Sequence, residues 1–125
     1  MAIRLDAVGV TARNLAASVA FYERLGFEFA PWSAEDRHVE AQTGAGRVRL
    51  MIDAAKLAED LIGDVPRPAN HAQFALLCDG AAEVDQIAGA MGGAIAIAPF
   101  DAPWGQRYAT LRDPDGYLVD IFAPL

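Results

Sequence analysis

The chain has 125 residues, 54% of them hydrophobic, and ten Lys plus Arg against seventeen Asp plus Glu give a formal net charge of −7. That length holds one compact domain or two small fused halves and excludes a second large domain, and the acidic balance opposes attraction to phosphate backbones or anionic lipid. The apolar runs are short and broken by charges, far from the roughly 20-residue span of a membrane helix, and MAIRLDAVGV has no secretory pattern, so a soluble cytoplasmic protein is expected, without nucleic-acid or membrane partners.

Residues 3–10 alternate apolar and mixed side chains, with β-branched Ile and Val, as a half-buried strand does. In the segment that follows, Leu15, Val19, Tyr22 and Leu25 recur at helical spacing, with Asn14 placed to cap the helix and Gly26 to end it in a left-handed conformation. Phe21, Tyr22 and Phe27 flank that helix at core spacing and are read as packing. Three short strands are predicted next, Phe27–Trp32, Arg37–Gln42 and Arg47–Asp53, separated by Ser-Ala-Glu-Asp and Thr-Gly-Ala-Gly turns. A part-helical connector with Pro66 and Pro68 fills residues 54–70.

The same order of elements then recurs: a strand over Gln73–Cys78, a helix over AAEVDQIAGAMG, and strands AIAIA, RYATLRD and YLVDIFA. The chain therefore reads as one α+β domain of two tandem βαβββ modules, about 1–53 and 71–125, each with a curved mixed sheet. Such a sheet cannot bury its apolar face alone, and pairing two of them is expected to leave a cleft lined by side chains of both. Cys78, the sole cysteine, continues an apolar run and is read as a buried small hydrophobe, and two histidines in the whole chain are too few for a multi-His metal centre.

Over essentially its whole length the chain resembles the vicinal oxygen chelate superfamily, which has the glyoxalase I, bleomycin-resistance and extradiol-dioxygenase fold. The resemblance rests on LDAVGVTARNLAASVAFYERLGFE, FALLCDGAAEVD and GGAIAIAPFDAPWGQRYATLRDPDGYLVDIFAPL. For metal-dependent members it implies four ligands, usually His, Glu, His and Glu, on four strands facing the cleft. Here those positions fall on Ala7, on Arg49 with Met51 as the alternative register, on Gln73 with His71 two residues earlier, and on Asp120. Asp120 alone keeps a carboxylate, and an Arg repels a cation. No cofactor is therefore expected, and a divalent metal is not.

The resemblance leads instead to a small-molecule binder with a planar or amphipathic ligand, stacked by Trp104 or Trp32 and oriented by Arg107, Arg49 or Gln73. Alternation along RYATLRD puts Arg107, Ala109 and Leu111 on one face and Tyr108, Thr110 and Arg112 on the other, so one of Arg107 and Tyr108 should face a ligand. DPDG, residues 113–116, is read as turn chemistry with Asp113 and Asp115 in solvent. The competing reading is an enzyme, either a glyoxalase-like lyase or isomerase or a dioxygenase with an unusual ligand set, or a metal-free proton-transfer catalyst using Asp120, His38 or His71. His38 shares a strand face with Glu40, the spacing of a proton-transfer pair. A third reading is an interaction protein, and the resemblance implies pairing of subunits, so a homodimer is expected.

Overall fold

In the computed structural model, which describes residues 5–67 and 73–125, the alternating N-terminal segment becomes strand β1 (Ala7–Ala12). Helix α1 (Leu15–Glu23) follows, and the Asn14 side chain accepts a hydrogen bond from the Ala17 amide at 3.0 Å, as the capping argument requires. Gly26 leaves the helix with φ of 91°, the left-handed turn that favours glycine. Strands β2 (Phe27–Phe29), β3 (His38–Thr43) and β4 (Arg49–Ala54) complete the first sheet, and helix α2 (Ala55–Ile62) occupies the predicted connector.

Strand β5 (Phe74–Leu77), helix α3 (Ala81–Ala90), a single 3₁₀ turn over Gly92–Ala94, and strands β6 (Ile95–Ala102), β7 (Gln106–Arg112) and β8 (Leu118–Pro124) repeat the order. The two sheets have matching topologies, β1-β4-β3-β2 and β5-β8-β7-β6. In each, the first strand runs parallel to the last and the remaining neighbours are antiparallel. The chain divides into two compact units, Met1–Pro68 and Ala69–Leu125. Among the described residues no helix is long and apolar enough to cross a membrane.

Each unit has a core between one helix and one sheet face. In the first, Val19, Phe21 and Tyr22 of α1 bury with Val10, Ala12, Val39, Ala41, Leu50 and Ile52, and the rings of Phe21, Tyr22 and Phe27 meet edge-on at 5.0 and 5.7 Å. In the second, Val84, Ala88 and Met91 bury with Ala109, Leu111, Val119, Ile121 and Ala123. Period-two alternation then turns the intervening side chains of both sheets to the face away from that helix, and those are the chemically varied ones.

Three boundaries and one burial expectation are corrected. Strand β2 stops at Phe29 instead of Trp32, because the chain turns at residues 33–36, where Asp36 Oδ2 accepts from the Ser33 amide at 2.8 Å. Strand β6 runs past the expected end of AIAIA, through Pro99 to Ala102. It is an edge strand with register shifts on both sides of Ile97, so the missing proline N–H breaks no ladder bond. Strand β4 begins at Arg49, two residues later than expected. DPDG is a turn, with Gly116 at φ of 96°, but Asp113 is buried rather than solvated: its carboxylate accepts from the amides of Asp115 and Tyr117 at 2.8 and 2.9 Å.

Candidate functional site

On the first sheet the face away from α1 carries Ala7 and Gly9 of β1, Arg49, Met51 and Asp53 of β4, and His38, Glu40 and Gln42 of β3, as the pairing register requires. Arg49 and Met51 are two residues apart and share this face, so the two candidate registers for the second ligand position are one surface. Ala7 is the register partner of Arg49. The Arg49 guanidinium donates to Glu40 Oε1 and, at 2.6 Å, to Asp6 Oδ2.

His38 continues this chain of charges. Its Nδ1 lies 2.6 Å from Asp53 Oδ1 and its Nε2 2.8 Å from Glu40 Oε2. Ionised carboxylates only accept, so satisfying both contacts requires a proton on each ring nitrogen, the imidazolium form. The hydrogen bond to Asp53, and after it the one to Glu40, raises the His38 pKa above its ordinary 6.5. In return the His38 bond, followed by that of Arg49, holds the Glu40 carboxyl below the usual carboxylate range. An open depression of about 320 Å³ adjoins the network, lined by Glu28, Ala30, Glu40, Gln42, Thr43 and Arg49. In this charged form, with both nitrogens engaged, His38 has no lone pair left to take a proton from a ligand.

The corresponding face of the second sheet is different in kind. Tyr108 pairs with Phe122 and Thr110 with Asp120 across β7 and β8. The nearly dry Asp120 carboxylate accepts three side-chain hydrogen bonds: from Thr110 Oγ1 to Oδ1 at 2.6 Å, from Gln73 Nε2 to Oδ2 at 2.5 Å, and from the Tyr108 hydroxyl to Oδ2. Burial, and then the bond to Asp120, pushes the Tyr108 phenol up to about 12.

Beside this polar group is a cluster of rings. Trp104 meets Tyr108 edge-on at 5.3 Å and Phe100 at 6.1 Å, Phe100 lies 6.2 Å from Tyr108, and Phe122 lies 6.3 Å from Tyr108. Trp104 projects from the three-residue β6–β7 turn, where Gly105 at φ of 92° donates to the Ala102 carbonyl at 2.9 Å. Its indole N–H donates to Gln106 Oε1 at 2.8 Å, which fixes the ring while 60% of the residue stays exposed.

Of the predicted site residues, the second unit brings together Trp104, Tyr108, Gln73 and Asp120, and sequence reasoning missed Phe100, Phe122, Thr110 and Gln106. Arg107 stands on the opposite face, as alternation predicted for neighbouring residues, and is held by Asp85 of α3 at 2.9 Å and Asp101 at 3.1 Å. Trp32 is half-buried in the β2–β3 loop of the first unit, which also holds Arg49 and His38. His71 lies outside the described residues.

The four positions at which the resemblance implies a metal hold, among the described residues, a methyl group at Ala7, a guanidinium at Arg49 already bonded to two carboxylates, a carboxamide at Gln73 (its alternative, His71, being outside them), and a carboxylate at Asp120 that already accepts three donors. That set does not fit a divalent cation, which takes three or more donor ligands at about 2.0–2.2 Å in a zinc-type site. Among the described residues no group of three or more His, Cys, Asp or Glu is disposed to hold one.

The sequence profile described as Glyoxalase/Bleomycin resistance protein/Dioxygenase superfamily matches residues 4–121. Among solved structures, a hypothetical protein from S. aureus is 20% identical with a TM-score of 0.82, covering 98% of this chain and 94% of its own. A glyoxalase/bleomycin resistance protein/dioxygenase family enzyme from Burkholderia phytofirmans is 19% identical with a TM-score of 0.81, covering 98% and 100%. TnmS3, an antibiotic binding protein from Streptomyces, is 21% identical with a TM-score of 0.71, covering 100% and 99%. No curated protein matches the chain.

Proposed function

Because the chain belongs to the glyoxalase/bleomycin resistance protein/dioxygenase superfamily, we propose that it is a metal-independent small-molecule binder whose planar or amphipathic ligand stacks on Trp104 of the second unit. The observation that carries this reading is the ring cluster of Phe100, Trp104, Tyr108 and Phe122, with its largest member exposed and its orientation fixed. A preorganised indole offers a flat apolar surface without the cost of ordering it on binding. Gln106 spends its carbonyl oxygen on the indole, so its amide group turns N–H donors, not an acceptor, to a ligand beside the ring.

Metal independence rests on the donor set, which binds itself. Asp120 is satisfied by Thr110, Gln73 and Tyr108, and Arg49 by Glu40 and Asp6. The antibiotic binding named for TnmS3 is the kind of task this reading gives the present chain. A thermal-shift screen of planar aromatic and antibiotic-like compounds tests it. A ligand should raise the melting temperature of the wild-type protein and lose that effect with Trp104→Ala. A panel without any shift, or hits that Trp104→Ala leaves intact, would remove the reading.

A further inference from the structure

The chain Asp53–His38–Glu40–Arg49–Asp6 alternates negative and positive groups and ties three elements of one sheet face together: β3, β4 and the residue leading into β1. We propose that His38 is a pH-operated latch on this face, which when charged clips β3 to β4 through Asp53 and holds Glu40 in place against Arg49, and when neutral can keep only one of its two carboxylates.

The geometry carries the inference. A neutral imidazole has one N–H and one lone pair, so either Asp53 at 2.6 Å or Glu40 at 2.8 Å would then face a lone pair and must move away. Among the described residues, the charged groups that face His38 are Asp53 from β4 and Glu40 from its own strand. Arg49 acts through Glu40, and β1 contributes Thr11 as the register partner of Asp53. Arg37, Lys56 and Asp60 form a separate set of ion pairs at α2. Both carboxylates are partly exposed, so release costs little and is reversible. Glu40 and Arg49 also line the open depression, whose charge therefore changes with the latch: Glu40 is balanced by two cations when it is closed and by Arg49 alone when it is open.

With the folded-state pKa of His38 raised above 6.5, the latch stabilises the protein fully below that value and is lost as pH rises through the folded midpoint. The chain has two histidines, so His71→Gln leaves one imidazole to observe. NMR titration of the His38 Cε1–H in that protein should give a midpoint above 6.5, with the Glu40 and Asp53 amides titrating in step. Asp53→Asn should lower the midpoint. The melting temperature of the wild-type protein should fall across the same pH range, and that of His38→Gln, or of Glu40→Gln where the former does not fold, should fall less. A midpoint at or below 6.5, a midpoint unmoved by Asp53→Asn, or variants that reproduce the wild-type pH dependence would each overturn the proposal.

Discussion

Thr110→Val removes one donor from the buried Asp120 carboxylate while keeping the volume and branching of the side chain. Thr110 and Asp120 are only 2% and 4% exposed, their oxygens are 2.6 Å apart, and Gln73 and Tyr108 both bond the other carboxylate oxygen. The variant therefore leaves Oδ1 buried without that donor, and water has little room to replace it. Hydrogen bonds to charged groups contribute about 1.5–3 kcal/mol, so a loss of that size is expected. With a urea m-value of about 1–3 kcal/mol/M, a loss of about 2 kcal/mol moves the unfolding midpoint down by roughly 1 M at unchanged m. Thr110→Ser keeps the donor and gives up a methyl group, a loss of about 0.8 kcal/mol. Equilibrium urea denaturation of the three proteins decides the matter. A Val variant as stable as wild type, or more stable than the Ser variant, would refute the view that Asp120 is held by its donors.

Three other outcomes follow from the same geometry. Gly105→Ala meets no atom within 4 Å of its new Cβ, so its expected destabilisation of about 1–2 kcal/mol comes from the left-handed backbone at φ of +92° alone, and chemical denaturation reads it. Spectrophotometric titration should find Tyr108 ionising near 12; with its pKa raised from 10.0, its contribution to stability is intact below pH 10 and is lost as pH rises from 10 through about 12, and Tyr108→Phe should abolish that late ionisation. Protein dialysed against Zn²⁺, Ni²⁺ or Mn²⁺ should retain less than stoichiometric metal by elemental analysis, with a melting curve unchanged by chelator; stoichiometric, chelator-removable metal would reverse the account of the donor set.

What was legible in the sequence was local. The Asn14 cap and the Gly26 exit are decided within a few residues, and both appear where spacing put them. Period-two alternation correctly separated Tyr108 and Thr110 from Arg107, and placed His38 beside Glu40. The partners across strands were not legible, because they depend on pairing between distant segments: Asp120 with Gln73 across 47 residues, His38 with Asp53 across 15, Arg49 with Asp6 across 43. Phe100 was hidden by Pro99, which reads as the end of a strand and is tolerated here because β6 is a bulged edge. Arg107 carried the right chemistry for a ligand contact, but Asp85 of α3 claims it, and nothing in the order of residues announces that a helix residue 22 positions earlier will reach it.

Stacking of a planar ligand on Trp104 can be observed directly, because the chain has one other tryptophan, Trp32. Fluorescence titration of Trp32→Phe protein with a compound that raises its melting temperature therefore observes Trp104 alone. Stacking on Trp104 should give saturable quenching whose apparent affinity matches that of the thermal shift and falls when Tyr108 is replaced by Leu. Binding that leaves the Trp104 emission unchanged would contradict it.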